Sequence, residues 1–269
     1  MKVQNQHSGK PNALPCVQTP VSGSTCIYGD CVVEMKHFSD NFFQLANVDP
    51  PYFSGPEKRG FYGKKISTTN IKRIDYAKTD TWEIPSVHYF NELFRVSENQ
   101  IIWGANYFTF KNVKPFKTPR RNEIDNFIKE NPFGWIIWDK CNGDTSFNDY
   151  ELAWSSFNEP TYIYQFMWNG MMQGLSENRG WIMQGNKKLN QKRIHPTEKP
   201  IKLYRYFLQR YSKPFWKVLD THLGSGSHRL ASKDFKIQFY GIEKNKTHFE
   251  NQEKRFLSFS SVLRLDFAY

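Results

Sequence analysis

Apolar residues in this chain fall into short dense clusters, and the clusters alternate between strand-like and helix-like spacing. CIYGD (26–30) reads as a short strand, VVEMKHF (32–38) as a short helix, and FFQLANV (42–48) as a strand running into Asp49. PSVHYFNELFRV (85–96) puts Phe90, Leu93 and Phe94 on one helical face. The run QIIWGANYF (100–108) reads as a buried strand, and FGWIIWDK (133–140) and TYIYQFMW (161–168) as two more, rich in aromatic and β-branched residues. PIKLYRYFLQRY (200–211) places Ile201, Tyr204, Phe207, Leu208 and Tyr211 on one stripe, with Pro200 suited to a helix start. WKVLD (216–220) is a strand that enters the glycine turn HLGSGS; a helix follows, then the strand IQFYGIE (237–243).

Strands that alternate with helices predict an α/β fold with a mostly parallel sheet. A polar tail over residues 1–25, with no periodicity, precedes one domain over 26–269. Residues 54–82 contain Gly55, Gly60 and Gly63 and no regular pattern. Inside a compact domain a loop of that length is functional or disordered.

Composition adds three constraints. Aromatic residues make up 17% of the chain, far too many for a disordered one, although the mean hydropathy is −0.69. No apolar run reaches the roughly 18 residues of a membrane span, and the N-terminus lacks the apolar core of a signal peptide. A soluble, intracellular protein of the cytoplasm is therefore expected. Four cysteines, Cys16, Cys26, Cys31 and Cys141, show no CxxC spacing, so reduced packing thiols are expected, with no metal site. The charge is more informative: 37 Lys and Arg against 26 Asp and Glu give +11, an excess that favours a polyanionic partner such as nucleic acid.

Three short segments carry candidate chemistry. In VLDTHLGSGSHRLAS (218–232), Gly224 and Gly226 let the backbone approach a ligand, and Glu243 ends the next strand where an acidic side chain grips ribose hydroxyls. Position 229 is Arg, so the full GxGxxG pattern is absent, which favours an adenosine ligand without phosphates. HPTEKP (195–200) fixes the start of a helix and brings Thr197 and Lys199 near that turn. In Asp49-Pro50-Pro51-Tyr52, a carboxylate stands at the end of a strand, beside a proline carbonyl outside any ladder and a ring that stacks on flat ligands. That trio suits an exocyclic amine on a heteroaromatic base.

Together these segments resemble the amino-group DNA methyltransferases that use S-adenosylmethionine, over roughly residues 26–257. Asp49-Pro50-Pro51-Tyr52 is similar to their catalytic tetrapeptide, Asp220 to Ser227 to their cofactor loop, and HPTEKP to the segment before that loop. The catalytic motif precedes the cofactor loop, the order of the circularly permuted β group, and the Gly29-Asp30 pair matches that group's usual start. The resemblance implies a Rossmann-like methyltransferase sheet, mostly parallel with an antiparallel strand and helices on both faces. It implies catalysis by Asp49, Pro50, Pro51 and Tyr52. S-adenosylmethionine would be held by Asp30, Thr197, Lys199, Asp220, Gly224, Ser225, Gly226 and Glu243. Where the family usually carries Asp-Pro-Phe this chain has Asp220-Thr221-His222, which removes an aromatic wall near the cofactor.

The partner implied is double-stranded DNA, with the target base flipped out of the helix. A homodimer and a cognate restriction nuclease are further candidate partners. Asp at the first catalytic position favours the N6 amine of adenine; N4 of cytosine and an inactive DNA-binding relative are the alternatives. Basic residues interleaved with aromatic ones mark candidate DNA contacts. In a basic loop at about 54–84 these are Lys58, Arg59, Lys64, Lys65, Lys72 and Arg73. Lys117, Arg120 and Arg121 form a second cluster, and Lys192 and Arg193 a third, in a small recognition segment at about 168–194.

Overall fold

The computed structural model describes residues 23–52, 82–143, 149–169, 172–195 and 197–266. Eight strands form one mixed sheet in the order β1-β10-β9-β2-β3-β5-β4-β6. They are β1 (Ser24–Tyr28), β2 (Phe43–Val48), β3 (Ser97–Trp103), β4 (Trp135–Asp139), β5 (Tyr150–Ser155), β6 (Tyr162–Gln165), β9 (Lys217–Asp220) and β10 (Gln238–Glu243). Every pairing is parallel except those of β5, which runs antiparallel to both β3 and β4. This is the Rossmann-like methyltransferase sheet that the resemblance implies, and β5 is its antiparallel strand. A separate two-stranded hairpin is made by β7 (Trp168–Asn169) and β8 (Met172–Gln173).

Alternation along the strands feeds one apolar core on each face of the sheet. Ile102, Trp135 and Ile137 point into one core, whereas Ile101, Trp103, Ile136 and Trp138 point into the other. Helix α2 (Val87–Val96) closes the first core with Tyr89, Phe90, Leu93 and Val96, at the spacing of a single helical stripe. Helix α4 (Ile201–Tyr211) closes the second with Leu203, Tyr204, Phe207, Leu208 and Tyr211. Phe207 meets Trp103 edge to face at 5.3 Å. Each of these fully buried side chains contributes about 1.5–3 kcal/mol of transfer free energy.

Two segments depart from the sequence reading. The apolar run at 161–168 is not one strand: β6 stops at Gln165, and Trp168 opens the β7–β8 hairpin. The run at 100–108 is a strand only as far as Trp103, because Gly104 takes a left-handed backbone (φ 64°) and starts a 3-10 turn over Ala105–Tyr107. A Cβ at Gly104 would fall 2.2 Å from Cδ1 of Tyr52, so only glycine lets that ring lie where it does. Strand β5, the short helix α3 (Ile124–Glu130) and the long helix α6 (Lys246–Asp266) carried no expectation at all. The first strand begins at Ser24, so a boundary at residue 25 falls inside it.

Among the described residues no helix is long and apolar enough to cross a membrane. Cys26, Cys31 and Cys141 are free thiols; burial pushes the first two up to about 12, so they stay protonated and pack as small apolar groups.

Candidate active site

Strands β9 and β2 are neighbours, but the chain leaves them in opposite directions, from β9 to β10 and from β2 to β3. An open α/β sheet has its ligand crevice at such a switch point, outside the carboxyl ends of the strands. Asp49 follows β2, Asp220 ends β9 and Glu243 ends β10, so the three carboxylates reach the same edge although the first lies far from the others in the chain. A cavity of about 570 Å3 opens there, lined by Asp49 to Tyr52 at one end and by Gly224 and Glu243 at the other.

The glycine-turn end is built largely from backbone. Gly224 (φ 49°) and Gly226 (φ 71°) take left-handed conformations, and Gly226 leads directly into helix α5 (Ser227–Ser232). The Gly224 N–H donates to Glu243 Oε2 at 2.8 Å, and the Asn245 N–H donates to Oε1 at 2.8 Å. The Gly226 N–H donates to the Leu223 carbonyl at 2.8 Å. With both glycine N–H groups used inside the protein, the turn is a poor cradle for a phosphate. Each Glu243 oxygen keeps a lone pair for a ligand hydroxyl. Burial holds the Glu243 carboxyl above its ordinary range, and the two backbone donors draw it back. Asp220 is turned inward: Oδ1 accepts the His222 N–H at 3.1 Å and Oδ2 faces His228 Nδ1 at 3.2 Å. Ser225 and Ser227 share a hydroxyl contact of 3.0 Å. Asp30 caps the short helix α1 (Cys31–Met35) through the Val32 N–H at 2.9 Å and stands exposed at the rim.

The position usually held by Phe in the resembling family is filled here by an imidazole. Thr221 Oγ1 bonds the Tyr89 hydroxyl at 2.7 Å and His222 Nδ1 at 2.9 Å, and the His222 ring meets Tyr89 at 5.4 Å. Burial lowers the His222 imidazole to about 4, so the ring lining the cavity is neutral at physiological pH.

The other end is built from charged side chains. Lys199, with its side chain 4% exposed, holds Asp49 Oδ1 at 2.5 Å and Glu151 Oε2 at 3.1 Å. Lys140 in turn pairs with Glu151 Oε1. Burial pushes the Asp49 carboxyl up, Lys199 pulls it back, and Glu151 and Asp220 push it up again, leaving it at about 6. Burial also opposes ionisation of Glu151, but Lys140 and Lys199 outweigh it and hold that carboxyl at about 2. Tyr52 lies parallel to Tyr107 at 5.0 Å, so one face of its ring is already covered. Pro50 is buried between Asp49 and that ring.

HPTEKP is anchored from the C-terminal helix. Glu198 Oε2 accepts the Ile194 N–H at 2.9 Å, and its Oε1 accepts from Arg255 of α6 at 2.9 Å. Thr197 rests on His195 Nδ1 at 3.2 Å, and Lys199 reaches the Asp49 end of the cavity.

The basic candidates divide. Lys58, Arg59, Lys64, Lys65, Lys72 and Arg73 lie outside the described residues. Lys117, Arg120 and Lys192 are exposed. Arg121 pairs with the buried Asp139 at 3.1 Å and lies over the Tyr150 ring. Arg193 lies over Trp168 at 4.4 Å and lines the cavity. The sequence reading passed over Lys140, Glu151, Tyr107 and His195, all of which line the cavity. The signal for Glu151 was available: an acidic residue within the aromatic, strand-like YELAWS is out of place unless something pairs with it.

Carboxylates gathered around a cavity at the switch point of an α/β sheet are the ligand-binding arrangement of the doubly wound class. The chain belongs to the N6/N4 DNA methylase family, whose model, described as DNA methylase, matches residues 43–254. Enzymes of this family transfer a methyl group from S-adenosylmethionine to DNA. Among curated relatives, the type II methyltransferase M2.MboI of Moraxella bovis is 24% identical, over 89% of each chain. The type II methyltransferase M.HinfI of Haemophilus influenzae is 27% identical, over 86% of this chain and 68% of that one. The crystal structure of the M1.HpyAVI-SAM complex matches with a TM-score of 0.46 at 16% identity, over 86% of this chain and 98% of that one.

Proposed function

We propose that this DNA methyltransferase modifies the N6 amine of adenine in double-stranded DNA, at a base flipped into the Asp49 end of the cavity. The observation that carries this reading is a carboxylate, not a hydroxyl, at the first position of the catalytic tetrapeptide, at the end of a central strand and facing the cavity. S-adenosylmethionine, when bound, supplies an electrophilic methyl carbon on a sulfonium. Its ribose hydroxyls suit Glu243, and its adenine suits the space beside His222 and Gly224. Asp30, Thr197, Asp220, Ser225 and Gly226 complete or support that end.

An aromatic amine is a poor nucleophile because its lone pair is delocalised into the ring. Asp49 and the Pro50 carbonyl accept its two N–H groups, which localises the lone pair and aims it at the methyl carbon. With S-adenosylmethionine bound, its sulfur would keep the electron pair of the bond to the methyl group, and Asp49 would stand where the proton released by the amine can be taken up. Pro51 stiffens the turn, and the Tyr52 ring replaces the stacking that the base lost in the duplex. Lys117, Arg120 and Lys192, with the basic residues of 54–84, would neutralise phosphates. The named type II relatives make a restriction nuclease with the same target a natural partner.

Incubation with S-adenosylmethionine and unmethylated duplex DNA, then digestion to nucleosides and mass spectrometry, tests the reading. N6-methyladenine is expected; N4-methylcytosine alone would overturn the base assignment.

A further inference from the structure

Glu151 belongs to none of the motifs that drew attention in the sequence. It reaches the site because β5 is antiparallel: the first residues of β5 lie at the same sheet edge as the last residues of its parallel neighbours. Glu151 is in register with Trp138, next to the carboxyl end of β4. Its Oε2 lies 3.1 Å from Lys199 Nζ, which lies 2.5 Å from Asp49 Oδ1 on its other side. Lys140 occupies the remaining Glu151 oxygen. The result is a row of alternating charges, Asp49, Lys199, Glu151 and Lys140, drawn from four separate segments.

In this arrangement Lys199 occupies one oxygen, Oδ1, of the carboxylate that accepts the amine in the proposed reaction. A buried ammonium that lost its only partner would be strongly destabilised. With Glu151 on its far side, Lys199 has somewhere to turn. We propose that Glu151 is a positioning residue that shares Lys199 with Asp49, so that Asp49 is released to the incoming amine without stranding a buried charge. The proposal rests on the methyltransferase reading for its purpose, but the sharing itself is a property of the protein alone. Lys140 keeps Glu151 ionised, at about 2, so that the second seat for Lys199 is always open. Other groups also feel Asp49: Asp220 at the end of β9, Tyr89 on α2 and Tyr204 on α4. Tyr204 also feels Glu151, but as a neutral phenol held well above its ordinary range it carries no charge that a change at Glu151 could alter.

The test begins with a titration that needs no turnover. In protein labelled with 13C at the aspartate carboxyl, the Asp49 resonance is assigned by its loss in Asp49→Asn and followed with pH. Glu151→Gln removes a neighbouring negative charge and leaves Lys199 to Asp49 alone, so the Asp49 midpoint should fall by about one unit. Lys140→Met removes a positive charge and draws Lys199 toward Glu151, so the midpoint should rise. Opposite shifts are required by the two lost charges, and the sharing adds a loss of kcat in Glu151→Gln at pH 8, where Asp49 is ionised in both proteins; an unchanged kcat there overturns the proposal. An Asp49 midpoint that stays still, or moves the same way in both folded variants, overturns it; should Glu151→Gln fail to fold, the direction in Lys140→Met decides. In turnover, Glu151→Gln should lower kcat on the order of tenfold at pH 8, with KM for DNA and the cofactor Kd within about twofold. Wild-type protein that moved no methyl group to DNA would remove the methyltransferase reading instead, and the titration would still test the sharing of Lys199.

Discussion

The two ends of the cavity are made in different ways. At the glycine turn, backbone N–H groups and one carboxylate do the holding, and nearly all of it comes from a stretch running from Asp220 to Asn245. At the Asp49 end four charged side chains from four segments hold one another, with Lys199 almost wholly buried. Backbone bonds in a local turn survive single substitutions, because the chain itself remains. A row of alternating charges around a buried lysine does not, because removing one member leaves its neighbours uncompensated. The first end should therefore respond to mutation with graded losses of cofactor affinity, and the second with large losses of rate or stability.

The largest effect expected is for Asp49→Ala. Transfer should fall on the order of a thousandfold, the usual scale for losing a group that stabilises the transition state. Cofactor affinity by calorimetry should change less than about threefold, since Glu243 and the glycine turn are untouched. An equal loss in both would mean that the two ends are not separable. Next is Lys199→Met, which leaves Asp49 and Glu151 facing each other without their cation. Urea unfolding at pH 8 should show a loss of about 3 kcal/mol. The loss should shrink toward pH 5, because Asp49 is the member of the pair that takes up a proton first. A loss independent of pH would point to packing rather than charge.

The same contrast explains what was legible in the sequence. The Asp49 tetrapeptide, the glycine turn and Glu243 are contiguous or sit at strand ends, so residue order alone announces them. The sheet and helices α2 and α4 were also legible, because their apolar periodicities are strong. Glu151 was legible only as an acid out of place in a strand-like segment; its partners Lys140 and Lys199 were not, because the pairing of β4 with β5 that carries it to this edge is encoded by no local spacing. The same holds for Arg255, whose grip on Glu198 depends on where α6 packs. The run at 161–168 misled because a strand and the start of a hairpin share one aromatic composition; the break between them is tertiary, where the Met167 N–H bonds the Gly180 carbonyl at 2.9 Å.

A smaller effect, about tenfold, is expected from pH alone. In the proposed reaction the amine needs Asp49 ionised, and burial with its neighbours sets that carboxyl at about 6. The single-turnover rate should therefore be flat above about pH 7 and fall to about a tenth of its plateau at pH 5. His222 and Glu151 titrate lower, at about 4 and about 2, so neither accounts for a limb in that window. A flat profile from pH 5 to 8 would remove Asp49 from the rate-limiting step.

The smallest and most discriminating effect concerns His222. The Thr221-His222 pair should cost an aromatic wall if only the family's usual Phe can provide one. In the structure the imidazole lines the cavity, fixed by Thr221 and by the Tyr89 ring, and burial keeps it uncharged. A neutral ring suits a site that must admit a sulfonium, since a protonated one would repel it. His222→Ala should weaken cofactor binding roughly fivefold, close to 1 kcal/mol, with kcat at saturating cofactor changed less than about twofold. His222→Phe keeps a wall and gives up the bond to Thr221, which retains Tyr89 as a partner, and the long 4.0 Å contact of Nε2 with Cys31 Sγ, so its affinity should stay within about twofold of wild type. An alanine variant that binds the cofactor as well as wild type would show that the imidazole serves the loop and not the ligand. The graded behaviour argued for this end of the cavity would then belong to backbone alone.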